Sequence, residues 1–151
     1  MTDDFRTQVR IAATPAEVFP YLVEPDHLVR WMGTDAIVDP RAGGRYDLVV
    51  NDLGISGHVE VYDPPKRLVV TWGYIDSPDL PPGASTVDIV LTPDGPDTIV
   101  ELTHHGLDAR QRRDHRVGWL HWLERLRIAG AGGDPGPDNP PDRPSGDTPQ
   151  P

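Results

Sequence analysis

Apolar residues recur with helical spacing over residues 109–130, the longest such stretch of the chain. At 3.6 residues per turn, one line along this predicted helix carries Arg112, His115, Trp119, Trp122 and Leu126. Four further residues widen the apolar stripe: Val117, Leu120, Leu123 and Ile128. The flanks and the back carry most of the charge: Arg113, Arg116, Glu124, Arg125 and Arg127. Because two tryptophans lie about one turn apart, this helix needs an apolar partner surface.

The chain before this helix alternates between apolar and polar residues, which is the pattern of half-buried strands. In the first strand, Phe5 and Ile11 share one face, and Arg6 and Arg10 share the other. Six more strands are predicted at residues 36–39, 45–50, 55–62, 67–74, 85–92 and 98–104. Short turns join most of them, as in an antiparallel meander.

Two short helices are predicted between the first and second strands. Thr14, Pro15 and Glu17 have the identities of an N-cap, a first helical residue and a capping box. A second short helix follows Asp26. The sequence therefore predicts an α+β fold, in which a curved antiparallel sheet of about six to seven strands wraps around the long C-terminal helix. Such a sheet leaves a cleft beneath the helix, which is a usual setting for a small-molecule site.

The C-terminal residues 131–151 differ in composition from the rest of the chain. They hold seven of the 18 prolines, four glycines and no large apolar residue. Such a segment cannot bury enough surface to offset its chain entropy. We therefore expect one domain over residues 1–130 and a disordered tail rich in proline, glycine and aspartate over residues 131–151.

Charge and composition exclude several classes of function. The formal net charge is −10, whereas binding to a phosphate backbone needs a basic face, so no nucleic acid partner is expected. The polar N-terminus and the absence of a long apolar run argue against a signal peptide and a membrane span, so we expect a cytoplasmic protein. The chain has no cysteine and no metal-ligand spacing of histidines, so neither a metal nor a cofactor is predicted.

The histidines are the main candidates for chemistry. His104 and His105 are adjacent on a strand and point to opposite faces, and His115 and His121 diverge around the helix. His104 and His115 are both expected to point inward. They form either a pair that polarises a ligand carbonyl or shuttles a proton, or two core residues that satisfy backbone groups.

A second candidate for chemistry is a local basic cluster of four arginines near the start of the helix: Arg110, Arg112, Arg113 and Arg116. They form either a site for an anionic ligand head at the mouth of the cleft or a solvated helix face beside acidic neighbours.

Five local motifs follow one another along about residues 5–128. They are residues 14–19 (TPAEVF), 31–33 (WMG), 43–46 (GGRY), 57–72 (GHVEVYDPPKRLVVTW) and 102–107 (LTHHGL), the last followed by His115 and residues 118–119 (GW). With them the chain resembles the START-like helix-grip (SRPBCC) superfamily and, within it, the heat-shock-protein-90 ATPase activator homologue family. The resemblance is to the C-terminal-type domain, which often occurs alone in bacteria.

The resemblance implies a helix-grip fold with a cavity between sheet and helix. In many relatives this cavity accepts apolar or aromatic ligands, and no fixed catalytic motif is implied. The first hypothesis is therefore a module that binds a small apolar or aromatic molecule. Its candidate ligand-binding residues are Trp31, Tyr46, Trp72, His104, His115 and Trp119, of which the aromatic ones also fit plain core packing.

Two alternatives stay open. One is an enzyme of the cyclase or aromatase type, with His104 and Tyr46 as acid/base candidates, although no convergent carboxylate–histidine group supports catalysis. The other is a chaperone-linked stress accessory protein, which needs an exposed apolar patch. Oligomeric state is not readable from the residues; a homodimer through the outer sheet face or a sheet edge is one arrangement that such folds adopt.

Overall fold

The computed structural model describes residues 4–138, which form seven strands and four helices. In chain order these are β1 (Phe5–Ile11), α1 (Pro15–Val18), α2 (Pro20–Val23), α3 (Pro25–Leu28), β2 (Asp35–Val38), β3 (Arg45–Val50), β4 (Leu53–Asp63), β5 (Arg67–Trp72), β6 (Ser85–Asp94), β7 (Asp97–His105) and α4 (Ala109–Gly130). The α+β prediction is confirmed, and so are the bounds predicted for the first strand and the long helix. None of the helices in the described part of the chain is long and apolar enough to cross a membrane.

All seven strands belong to one antiparallel sheet with the order β1-β7-β6-β5-β4-β3-β2. A register shift between Val59 and Val61 interrupts the pairing of β4 with β5, and such irregularities bend a strand. Nearby, a side chain on Gly57 would overlap the carbonyl of Thr71, so only glycine allows this close approach. The curvature that the helix-grip fold requires therefore has identifiable causes in β4.

The segment between β1 and β2 contains three short helices, whereas the sequence predicted two. Pro20 and Pro25 each occupy the first position of a new helix, because proline lacks the N–H that would continue the preceding one. The predicted capping box of α1 is present, with the Glu17 N–H donating to the Thr14 hydroxyl and the Thr14 N–H donating to the Glu17 carboxylate.

The buried face of α4 differs in part from the predicted stripe. Trp119, Leu123 and Leu126 are buried, but Val117 is 45% exposed and Leu120 is 47% exposed. By the helical period, these two side chains point roughly 160° and 100° away from Trp119, so the prediction that they widen the core-facing stripe is wrong.

Arg125 was predicted on the flank of this helix, yet its side chain is buried. Its guanidinium donates to the carbonyl oxygens of Trp31 at 3.1 Å and Arg30 at 3.2 Å. The same group donates to the carbonyls of Pro135 and Pro137, both at 3.3 Å. Arg125 therefore links the end of α4 to residues 30–31 and to residues 135–137. The helical pattern of the sequence gives no indication of these carbonyl partners.

Residues 131–138, the start of the predicted tail, fold back against α4. Asp138 accepts hydrogen bonds from His121 Nε2 at 2.7 Å and Trp122 Nε1 at 3.0 Å. Over these eight residues the structure therefore differs from the expected disordered tail, because Asp138 and two proline carbonyls satisfy donors on the helix. Residues 139–151 lie outside the described residues, so the domain limit at residue 130 and the disorder of the rest of the tail stay predictions.

Candidate functional site

A cavity of about 200 Å³ lies between α4 and the β3–β5 part of the sheet. Eight of the 17 residues that line it are apolar or aromatic: Met32, Val50, Leu53, Ile55, Trp72, Leu80, Trp119 and Trp122. Gly118 and eight polar residues complete the wall: Asn51, Tyr74, Ser77, Asp79, Arg110, Gln111, Asp114 and His115. The predicted cleft beneath the helix is therefore present.

Trp72 and Trp119 form the deep part of the wall. Trp72 ends β5 and is 4% exposed, and Trp119 projects from the middle of α4 and is also 4% exposed. Their ring centroids are 5.2 Å apart with an interplanar angle of 48°. Because Trp72 lies on the sheet and Trp119 on the helix, this contact joins the two layers that enclose the cavity.

His104 lies directly behind these rings and is completely buried. Its Nδ1 accepts a hydrogen bond from Trp119 Nε1 at 3.1 Å, which leaves the proton of the neutral ring on Nε2. Nε2 therefore donates to the Ser85 hydroxyl at 2.9 Å, and that hydroxyl donates to the Trp72 carbonyl at 2.7 Å. Every polar atom of the imidazole thus has a partner.

Burial, with smaller contributions from the nearby His115 and His105, lowers the pKa of His104 to about 2. A second ring proton would also face the Trp119 N–H, so the hydrogen-bond chain favours the neutral form. His104 consequently stays uncharged at neutral pH. Of the two interpretations made from the sequence, the geometry matches a core histidine, although its partners are the side chains of Trp119 and Ser85 and not backbone groups.

His115 differs from His104 because it lies in the cavity wall. Its Nδ1 donates to the Gln111 carbonyl one turn earlier at 2.8 Å, and its Nε2 lies 2.9 Å from the Tyr74 hydroxyl. With Nδ1 protonated, the neutral ring accepts from Tyr74. Tyr74 was predicted on a strand but was not among the candidate ligand-binding residues. Its alternation with Trp72 on one strand face was the available signal.

The loop between β5 and β6 closes one side of the cavity. Gln111 Nε2 donates to the Asp79 carbonyl at 3.1 Å, and Arg110 lies 3.6 Å from the Asp79 carboxylate. Both partners of this ion pair are largely exposed, so the pair adds little stability. Of the four arginines considered for an anionic ligand head, Arg110 alone lines the cavity, and the carboxylates of Asp79 and Asp114 accompany it.

Three residues that were predicted to bind a ligand, Trp31, Tyr46 and His104, do not line the cavity. Trp31 Nε1 donates to the Tyr21 carbonyl at 2.8 Å, and the Tyr46 hydroxyl donates to the Leu22 carbonyl at 2.7 Å. Both side chains therefore attach the short helices to the rest of the fold. Complete burial also raises the pKa of the Tyr46 hydroxyl, which makes it a poor acid/base group.

The outward-facing histidines do not converge on a common site. His105 contacts Asp4 at 2.8 Å, and His121 contacts Asp138 at 2.7 Å. Among residues 4–138, no three histidine or carboxylate side chains come together in a way that could hold a metal ion.

The chain is similar to one known family both in its sequence and in its structure. A family model described as "Activator of Hsp90 ATPase homolog 1-like protein" matches residues 12–130. The chain is 37% identical to an AHSA1-like protein of Rhizobium etli, over 99% of both chains, with a TM-score of 0.70. No curated protein gives a significant match.

Two further solved structures share the fold at lower identity. CalU16 from Micromonospora echinospora is 28% identical, over 80% of this chain and 71% of that one, with a TM-score of 0.66. The Aha1 dimer from Colwellia psychrerythraea is 20% identical, over 87% of this chain and 98% of that one, with a TM-score of 0.75. At the latter identity the similarity shows the fold alone.

Proposed function

The chain belongs to the activator of Hsp90 ATPase homolog 1-like family of helix-grip proteins, and on that premise we propose that it binds a small, mostly apolar or aromatic molecule. The binding site is the cavity between the sheet and α4. The observation that carries the proposal is the pairing of Trp72 and Trp119 across a cavity of about 200 Å³. A concave site that combines aromatic side chains with polar groups is typical of small-molecule sites.

The size of the cavity limits the ligand. An engineered apolar cavity of roughly 150 Å³ in another protein takes up benzene, so this one suits a molecule of one or two rings. Removing about 200 Å² of apolar ligand surface from water contributes about 5 kcal/mol before the entropic cost of association. We therefore expect dissociation constants in the micromolar range or weaker unless polar contacts add to the affinity.

Catalysis of the cyclase or aromatase type has less support than binding. The two residues that the sequence offered as acid/base candidates, His104 and Tyr46, both have structural hydrogen bonds and lie outside the cavity wall. A chaperone-linked role, a homodimer and a cytoplasmic location also stay predictions for this chain.

Equilibrium dialysis of a neutral bicyclic ligand, 1-tetralone, tests the proposal. Leu53 lines the cavity at the start of β4, so we expect the Leu53→Trp variant, whose larger side chain reduces the free volume, to lose at least about tenfold in affinity. Ile37→Trp is the matched control, because Ile37 is 55% exposed and does not line the cavity. Absence of binding to the wild type, or equal binding by both variants, would contradict the proposal.

A further inference from the structure

The four tryptophans differ in whether the indole N–H has a hydrogen-bond acceptor. Three of their indole N–H groups have acceptors: Trp31 donates to the Tyr21 carbonyl, Trp119 to His104 Nδ1 and Trp122 to the Asp138 carboxylate. The indole nitrogen of Trp72 is buried and has no hydrogen-bond partner among residues 4–138. Buried polar groups are nearly always paired, so an orphan donor in a cavity wall calls for an explanation.

The two aromatic rings that pack against Trp72 do not supply an acceptor. Its ring lies 5.2 Å from Trp119 and 6.0 Å from His104, centroid to centroid. His104 cannot accept from it, because Nδ1 is occupied by Trp119 and Nε2 donates to Ser85. The indole is held between neighbours whose own hydrogen bonds are complete, in the wall of a cavity that can admit another molecule.

We propose that the ligand is an uncharged one- or two-ring molecule with a carbonyl or comparable oxygen acceptor, which receives the indole N–H of Trp72. This inference rests on the proposed function and specifies the ligand class of the same cavity. A hydrocarbon would leave the donor unpaired, whereas an acceptor placed there recovers the missing hydrogen bond. Because this nitrogen is buried, the proposed hydrogen bond requires the indole to turn toward the cavity when the ligand binds.

The charges in the cavity wall favour a neutral acceptor over a carboxylate. Asp79 and Asp114 both line the cavity, and the cation in that wall, Arg110, already faces Asp79. A ligand carboxylate would meet a net negative set of formal charges and would have to give up its hydration. A ketone provides the same type of acceptor atom without either penalty.

The test compares 1-tetralone with tetralin, which has the same two-ring frame and lacks the carbonyl. Dissociation constants are measured by equilibrium dialysis with the wild type, Trp72→Phe and Trp122→Phe. We expect the preference for 1-tetralone over tetralin to fall by roughly tenfold in Trp72→Phe, which keeps an aromatic ring and lacks the donor. Trp122 also lines the cavity but its N–H is bonded to Asp138, so Trp122→Phe should keep the wild-type preference.

A second measurement needs no variant. In ¹⁵N-labelled wild type, the indole N–H signal of Trp72 should shift downfield with 1-tetralone and much less with tetralin. An unchanged ligand preference in Trp72→Phe, together with equal indole shifts for the two ligands, would overturn this inference and leave the proposed function standing. If neither ligand binds the wild type, both the inference and the proposed function fail.

Discussion

His104 makes the stability of this protein depend on pH in a way that a single variant can isolate. The imidazole is buried, and its pKa falls from an ordinary value near 6.5 to about 2. Below pH 6.5 the unfolded chain takes up a proton at this position and the folded chain does not. Since the unfolded state binds more protons, the free energy of unfolding falls as the pH falls from about 6.5 toward 2.

The size of the effect follows from the two pKa values. Each pH unit well inside this window removes about 1.4 kcal/mol, so going from about pH 7.5 to about pH 4.5 removes about 3 kcal/mol through His104 alone. The His104→Gln variant lacks this titration. Near neutral pH it should be less stable than the wild type by about 1–3 kcal/mol, because the amide differs in shape from the imidazole and pairs less well with Trp119 and Ser85.

Urea unfolding of both proteins between about pH 7.5 and pH 4.5 gives the comparison. Other titrating groups are common to both, so the gap between the wild type and His104→Gln should shrink by about 3 kcal/mol and close or reverse at the acidic end. A gap that stays constant across this range would refute the reasoning, because it would mean that folded His104 gains its proton as easily as the unfolded chain does.

Three further predictions address other parts of the structure. Leu123→Ala should lower the free energy of unfolding by about 2–5 kcal/mol, whereas Leu120→Ala should change it by about 0.5 kcal/mol or less, in chemical denaturation; equal effects would contradict the orientation of α4. Asp138→Ala should lower the free energy of unfolding by about 1–3 kcal/mol, because it removes the acceptor of both Trp122 Nε1 and His121 Nε2. An unchanged melting temperature would show that the 131–138 segment does not stabilise the domain. Asp114→Asn should strengthen the binding of 1-naphthoate by about twofold to fivefold and leave 1-tetralone unaffected in dialysis, since it removes one negative charge from the cavity wall; an equal change for both ligands would count against an electrostatic effect.

Periodicity predicted most of the fold because each of its main elements is long enough to show a repeat. The alternation in β1 and the 22-residue helix α4 are both matched by the structure. The short segments were harder, since a four-residue helix contains about one turn. The helix that begins at Pro20 was therefore missed, and two short helices were predicted where the structure has three.

The candidate site could be predicted only in part, because periodicity gives the face of a residue and not its partner. Trp72, Trp119 and His115 line the cavity as expected. Trp31 and Tyr46 also point inward, but backbone carbonyls of the short helices take up their polar atoms. Those carbonyls are distant in sequence, so no local pattern could reveal them.

The roles of His104 and Arg125 also depend on partners that are distant in the sequence. His104 was open to two interpretations, and the contacts with Trp119 and Ser85, which come from other elements, favour the structural one. Arg125 was predicted on the flank or back of α4 from the helical period, yet it donates to carbonyls from two separate segments. Long-range hydrogen bonds, rather than hydrophobic pattern, distinguish these roles.

The central claim is that a small molecule occupies the cavity between the sheet and α4, and isotope-filtered NMR tests it most directly. With labelled protein and unlabelled 1-tetralone, nuclear Overhauser contacts should connect ligand protons to Trp72, Trp119 and Ile55, which line the cavity. Contacts confined to the exposed Val117 and Leu120 on the outer face of α4, or no contacts at concentrations where dialysis detects binding, would contradict the account.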